Sequence, residues 1–246
     1  MKILLTGSEG FIGQHLQSFL KDRHQLICLD KLTGNDLVTC NLDYDVDLVI
    51  HLAGLSGVRD SLDNPTEYWT NNVVGSYRIF KQFDKGPKIL YASSSTAKEP
   101  WRNPYAMSKF YMEQIAPHNA LGMRFTTVYG PGAREQMLIP KILKNDVDYI
   151  NIDHSRDFIH IDDILTAVGF LIVNKPPKKL KVVDVGTGIS NKLIDIFDHI
   201  NMTIKDKRMG TIYERKDNIA KIGTLSKMGW IPQTNLLDYL KENYDN

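Results

Sequence analysis

The sequence predicts an α/β protein: a Rossmann-type, doubly wound parallel sheet with a small, interleaved C-terminal lobe. Three observations predict it. Short apolar runs alternate with amphipathic stretches through the first half, the rhythm of strands joined by covering helices. The first apolar run passes directly into a glycine-rich turn, and the second ends in an acidic residue, Asp30.

Taken in order, residues 3–6 read as a buried strand. Residues 11–20 read as a helix, with Phe11, Ile12, Leu16, Phe19 and Leu20 at apolar positions. Strands follow at 25–30 and 47–52, a helix at 65–83, a strand at 88–93, a helix at 105–115 and a strand at 121–128. After Gly130-Pro131-Gly132 the rhythm breaks. Residues 137–143 look helical, 148–152 extended, 162–173 a buried helix and 182–185 a further strand, with tail helices at 192–200 and 236–244. No repeat or low-complexity linker is present. The expected division is therefore interleaved: 1–130 with about 158–187 as the dinucleotide-binding domain, 131–157 and 188–246 as the small substrate lobe.

Composition narrows the function. The chain has 246 residues, a formal net charge of +1 and 42% hydrophobic residues, enough for one core with an appended lobe. Acidic and basic residues nearly cancel without long runs, which argues against a nucleic-acid partner. Cys28 and Cys40 have neither metal nor redox spacing, so no metal is expected. No apolar run approaches the roughly 20 residues of a membrane span, and the N-terminus lacks an apolar leader. No membrane partner is expected, and the expected setting is the cytoplasm.

The turn after the first strand reads Gly7-Ser8-Glu9-Gly10-Phe11-Ile12-Gly13. Glycines at this spacing permit a tight turn, close approach of backbone to a pyrophosphate, and close packing of helix on strand. The free N–H groups of the helix start, at Phe11 and Ile12, then face the phosphates. Asp30 stands seventeen residues past Gly13, where a carboxylate accepts both ribose hydroxyls of NAD and repels a 2′-phosphate. A strand-end Asp that caps the next turn is the structural alternative. Lys31 would tolerate a phosphate, yet the pattern as a whole favours NAD over NADP.

Tyr105 and Lys109 are four apart at the start of a predicted helix, hence on one face. A free phenol titrates near pH 10 and is a poor base at neutrality, but a neighbouring ammonium favours the phenolate. Tyr105 could then take a proton from a substrate alcohol as hydride leaves it. Upstream, the strand at 88–93 runs into Ser93-Ser94-Ser95-Thr96. Strand ends of a doubly wound sheet face the ligand crevice, so a hydroxyl there can orient the reacting oxygen. Taken singly, each of the four is as well explained as part of a polar turn.

These motifs occur together with His51-Leu52-Ala53-Gly54, Asn72-Val73-Val74-Gly75, Val128-Tyr129-Gly130-Pro131-Gly132, Arg156-Asp157-Phe158-Ile159-His160-Ile161-Asp162-Asp163 and Met228-Gly229-Trp230-Ile231-Pro232. In this order they resemble the NAD-dependent epimerase/dehydratase branch of the extended short-chain dehydrogenases/reductases, over nearly the whole chain. The resemblance implies Ser94, Tyr105 and Lys109 as the catalytic set, with Ser93 or Ser95 as rivals for the serine. It implies that Asn41 and Leu42 bracket the adenine, that Leu52 and Ala53 line the cofactor groove, and that Asn72 supports the site; a buried structural amide explains Asn72 equally well. Arg156 would reach the diphosphate of a nucleotide-sugar substrate. Arg215 lies where a second phosphate-binding arginine is found, with a solvated surface charge as the other reading. Forked guanidinium donors suit such oxygens. His160 is expected to be a packed structural group.

The implied activity is NAD-dependent epimerisation of a nucleotide sugar, oxidising and re-reducing C4 through a 4-keto intermediate. A reductase or dehydrogenase of a 4-keto nucleotide sugar uses the same residues, and a non-enzymatic NAD-binding regulator or scaffold is the alternative of another class. The family also implies a homodimer built on the helices at 65–83 and 105–115. Two features depart from the pattern. Only ten residues separate Ser94 from Tyr105, and the segment between Pro140 and Arg156 is short; both border the substrate pocket. Where sugar-nucleotide 4,6-dehydratases carry an Asp-Glu pair, this chain has Ser95 and Thr96, which disfavours elimination of water.

Overall fold

The computed structural model describes residues 1–174, 176–177 and 179–244, and it divides into two compact units. The first comprises Met1–Arg124 with Pro177–Val183, the second Phe125–Pro176 with Asp184–Asn246.

In the first unit, β1 (Lys2–Thr6) leads into α1 (Phe11–Leu20), β2 (Gln25–Leu29) and β3 (Leu48–His51). Helix α2 (Val58–Asp63) and α3 (Pro65–Tyr68) precede a π-helical turn (Trp69–Val74), which continues as α4 (Gly75–Gln82). Then come β4 (Lys88–Ser94), α5 (Pro104–Ile115) and β5 (Ala120–Phe125). The single helix expected over 65–83 is thus interrupted at its centre, and α2 was not foreseen.

The parallel sheet has six strands in the order β2-β1-β3-β4-β5, closed at the far edge by Val182–Val185. Its central strands are apolar without alternation: Ile3, Leu4, Leu5, Val49, Ile50, Ile89 and Leu90 are all inaccessible to solvent, as expected of strands covered on both faces. On one face Leu4, Val49, Ile79, Phe80, Tyr91 and Met112 form a continuous core. The order reverses between β1 and β3, and the crevice outside the carboxyl ends of the strands at such a switch is where ligands bind.

The strand expected over 121–128 is two strands. Thr126 donates its N–H to the Val185 carbonyl, and Thr127–Tyr129 then pairs in parallel with Phe158–His160 in a separate ribbon of the second unit. The second unit packs its own core from Tyr129, Ile139, Ile142, Ile150, Phe158, Ile196, Phe197 and Leu240. Its helix Ile161–Val173, assigned to the first domain in the sequence division, follows directly from Phe158–His160 and belongs with it. Positions 175, 178, 245 and 246 of that division lie outside the described residues. Among the described residues no helix is long and apolar enough to cross a membrane, and no group of three or more His, Cys, Asp or Glu could hold a metal ion.

Candidate active site

The glycine turn is shaped by close approach. Gly7 has φ +72°, and a Cβ there would lie 2.5 Å from the Ala53 nitrogen. A Cβ on Gly13 would meet the Gly7 carbonyl oxygen at 2.1 Å. The turn is tied to the next strand through Gly7 N–H to the Leu29 carbonyl (2.9 Å) and closed by Gly10 N–H to the Gly7 carbonyl (3.2 Å). Gly10 caps α1 with extended backbone and no side-chain partner for the first helical N–H groups, so Phe11 and Ile12 open a helix end suited to an anion. This is a cradle that side chains would fill, and it fits a dinucleotide pyrophosphate. Gly7→Ala is therefore expected to weaken NAD binding about fivefold or more, because the cradle must shift to make room for the Cβ and αL strain costs about 1–3 kcal/mol; calorimetric titration with NAD checks it.

Asp30 caps the next turn, the structural alternative set out for it, and also braces the glycine loop. Its Oδ1 accepts from Leu32 N–H (2.9 Å), capping the next turn, while Oδ2 accepts from Glu9 N–H (3.0 Å) inside the glycine loop. The carboxylate is thereby fixed beside the loop with lone pairs to spare. Lys31 is exposed and pairs with Asp36 at 3.5 Å. Asn41 is exposed, its Oδ1 accepting from Asp43 N–H (3.0 Å), whereas Leu42 is buried in the core cluster. Leu52 and Ala53 are half-buried directly after β3, with Ala53 N–H on the Thr6 hydroxyl at 3.3 Å.

Beneath this turn lies a buried polar column. His51 Nδ1 is 2.7 Å from the Thr6 hydroxyl and Nε2 is 2.8 Å from the Ser76 hydroxyl. Burial first, and the nearby Lys109 second, hold its pKa down to about 3, so the imidazole is neutral. Asn72, in the π turn, forms a reciprocal pair with Leu55: Oδ1 accepts from its N–H (2.7 Å) and Nδ2 donates to its carbonyl (3.0 Å). Nδ2 also donates to the Ser108 hydroxyl (2.9 Å). A Cβ on Gly54 would sit 2.8 Å from Asn72 Oδ1 and 3.4 Å from Lys109 Nζ. Gly54, Asn72 and Lys109 therefore converge on one spot.

Helix α5 starts where the sequence dictates. The Asn103 side chain accepts from Ala106 N–H (2.7 Å) and Pro104 takes the first helical position. Tyr105 is half-buried in its first turn, its ring edge-on to Tyr68 at 6.1 Å between centroids. Lys109, one turn on, is buried and donates to the Ala92 carbonyl of β4 (3.0 Å). Burial lowers its pKa to about 8, and Glu113 opposes the fall. Of the serines, Ser93 donates to Glu113 and is committed to it. Ser94, at the end of β4, accepts from Thr96 N–H (3.2 Å) and from the Thr96 hydroxyl (2.9 Å), which leaves its own proton to donate. Ser95 is buried and follows in a 3-10 turn. The short link to α5 is completed by a second 3-10 turn, Pro100–Arg102, braced by the Glu99–Arg102 ion pair.

In the second unit, Arg156 is engaged within its own neighbourhood. Nη1 donates to the Ser155 (2.8 Å) and Lys216 (3.3 Å) carbonyls; Nη2 donates to His154 Nδ1 (3.1 Å) and lies 3.5 Å from Glu214. Burial lowers its pKa, Glu214 and Asp217 oppose this, and Arg215 adds to it, so the two guanidiniums share one patch. Arg215 is half-buried. His160 packs in a triangle of rings with Tyr129 and Tyr239, each 5.2 Å away between centroids, and accepts from Asp162 N–H at the helix start. Asp157, not singled out by sequence reasoning, is fully buried and accepts from Thr187 N–H (2.8 Å) and hydroxyl (2.7 Å), Gly188 N–H (2.9 Å) and Ala220 N–H (3.0 Å).

A six-stranded parallel sheet with a glycine cradle at its switch point, an acid at the end of β2 and a Tyr-x-x-x-Lys helix defines the class of short-chain dehydrogenase-like NAD enzymes. A model of the NAD dependent epimerase/dehydratase family matches residues 3–186, and the chain belongs to that family. It is similar to a putative UDP-glucose 4-epimerase of Methanocaldococcus jannaschii, with 30% identity covering 97% of this chain and 96% of the relative. That alignment runs over 299 positions against the 246 residues of this chain, so the deletions are internal. A UDP-glucose 4-epimerase of Yersinia enterocolitica is 24% identical, covering 98% and 96% of the two chains. The crystal structure of UDP-glucuronic acid 4-epimerase from Bacillus cereus with UDP-glucuronic acid and NAD superposes with a TM-score of 0.84 at 25% identity, over 100% of this chain and 98% of that one.

Proposed function

We propose that this enzyme is a 4-epimerase of a uridine diphosphate sugar, working with a resident NAD. The observation that carries the reading is the half-buried Tyr105 one helical turn before a buried Lys109, on a helix flanked by a serine-ended strand that lacks the acids of a dehydratase. NAD, when bound, supplies the acceptor and donor of hydride at C4. The backbone of Gly7, Gly10, Phe11, Ile12 and Gly13 holds its pyrophosphate, Asp30 its ribose with Lys31 alongside, Asn41 and Leu42 border its adenine, and Leu52 and Ala53 line its groove. Asn72 holds the loop after β3 in place.

Ser94 donates to the C4 oxygen and orients it. Tyr105 takes the C4 hydroxyl proton as the carbon becomes a ketone, and returns it when the carbon is reduced from the other face. Lys109 favours the phenolate that does this. Arg156 and Arg215 bind the diphosphate, which would displace Glu214 from Arg156. Two copies pair through α3–α5, where Trp69, Tyr77 and Tyr111 expose apolar rings, Trp69 and Tyr111 stacking edge-on at 4.9 Å. A cytoplasmic setting belongs to the same reading, because its substrate is a nucleotide sugar.

Cofactor stoichiometry tests the proposal. Incubated with UDP-glucose or UDP-glucuronate, the enzyme is expected to interconvert the C4 epimers with no net change in absorbance of reduced nicotinamide. Consumption of one reduced cofactor per turnover would instead identify a reductase.

A further inference from the structure

A buried acid sits one helical turn beyond Lys109, and the catalytic reading does not use it. Glu113 is almost fully enclosed on α5. Arg124 of β5 grips both its oxygens, Nε at 2.7 Å from Oε1 and Nη2 on Oε2. The Ser93 hydroxyl donates to Oε1 from β4, one residue before Ser94. One carboxylate thus joins the helix of Tyr105 and Lys109, the strand of the candidate catalytic serine, and the next strand of the sheet. Removing a charge from water is costly, and a buried ion pair keeps its place only when its remaining hydrogen bonds are met, as they are here.

We propose that Glu113 is a positioning residue: its carboxylate places a negative charge one helical turn from the Lys109 ammonium and fixes the Tyr105 helix against the serine-ended strand. The proposal rests on Tyr105 and Lys109 being the catalytic pair, and it deepens that reading. The groups around Lys109 leave Glu113 as its source of negative charge. From β3, His51 is neutral; from the π turn, Asn72 carries no charge. From β4, Tyr91 is buried, with burial first and Glu113 second raising its pKa, so it stays a neutral phenol. From β5, Arg124 is positive and spent on Glu113. Burial acts to strip the proton from Lys109, and Glu113 acts to keep it. Without the acid, the ammonium that favours the Tyr105 phenolate would be lost at lower pH.

The test compares Glu113→Gln, which keeps shape and drops charge, with Glu113→Asp, which keeps charge and shortens the chain. In protein labelled with 13C at lysine Cε, with Lys109 assigned through Lys109→Arg, Lys109 is titrated with no cofactor or substrate present. Wild type is expected to reach its midpoint near pH 8. The Gln variant is expected to fall to about pH 7 or below, and the Asp variant to stay near wild type. In turnover, the alkaline limb of kcat should move down with the Gln variant alone, with KM unchanged. A Gln variant that titrates like wild type, or an Asp variant that falls as far as Gln, overturns the proposal. So does a wild-type midpoint at the ordinary lysine value near 10.4, a readout that survives if the Gln variant does not fold. Because the titration needs no substrate, absence of epimerase activity would sink the proposed function and leave this result standing.

Discussion

Tyr105→Phe is expected to lower turnover between about a hundredfold and ten-thousandfold, the range that a positioned acid–base group contributes. The substitution removes one oxygen and leaves the ring edge-on to Tyr68, so the packing of α5 is kept. Nothing else in the half-buried first turn can take its place. Lys109 is aimed at the Ala92 carbonyl and the neutral His51 is enclosed between two hydroxyls. NAD affinity should change little, because the glycine cradle and Asp30 are held by their own backbone bonds. Steady-state kinetics beside calorimetric titration with NAD separates the two quantities. A variant that turns over within about tenfold of wild type would remove Tyr105 from the mechanism.

Asp157→Ala should have the largest effect on stability. Four donors from two separate stretches, Thr187 twice with Gly188, and Ala220, meet on this one carboxylate. Stranding buried donors costs about 1–3 kcal/mol each where no water reaches them, so a loss on the order of 4 kcal/mol or more is expected even if some find new partners. Asp157→Asn separates hydrogen bonding from size. An amide keeps one acceptor and turns an NH2 toward donors, so it should recover only part of the loss. Urea denaturation of the three proteins reads this directly; an alanine variant within about 1 kcal/mol of wild type would show that the site relaxes or hydrates.

The first half of the fold was legible because its strands are buried on both faces and read as unbroken apolar runs, each closed by a turn. Helix α1 begins at the residue after Gly10 and ends at Leu20, the last apolar position of its stripe. The later half hid its ladders. Ser155–Arg156 pairs with Asn191–Lys192, and Tyr149–Asn151 with Asp206–Arg208, through strands of two or three residues that no periodicity reveals. The break at Thr126 was likewise invisible, because it is made by hydrogen bonds to Val185 and Asp157 far along the chain.

The candidate site divides the same way. Glycines, Asp30, Tyr105 and Lys109 are readable because local spacing sets their geometry. Glu113 carried a local clue, four residues past Lys109 on the same helix face, yet its partners Ser93 and Arg124 come from two strands. Asp157 stood inside a quoted motif, but the loops it gathers lie thirty or more residues away in sequence. Leu42, cited for the adenine, packs in the core cluster.

The π turn between α3 and α4 makes this helical run intolerant of changes in length. One surplus residue there lets Asn72 reach Leu55 and Ser108 while Ser76 still meets His51. Deleting a single residue there would restore regular winding and leave Ser76 in register with the imidazole, but it would take the Asn72 amide off Leu55 and Ser108. A regularly wound helix in this place would keep the sheet's contacts and lose the amide that ties the loop after β3 to α5.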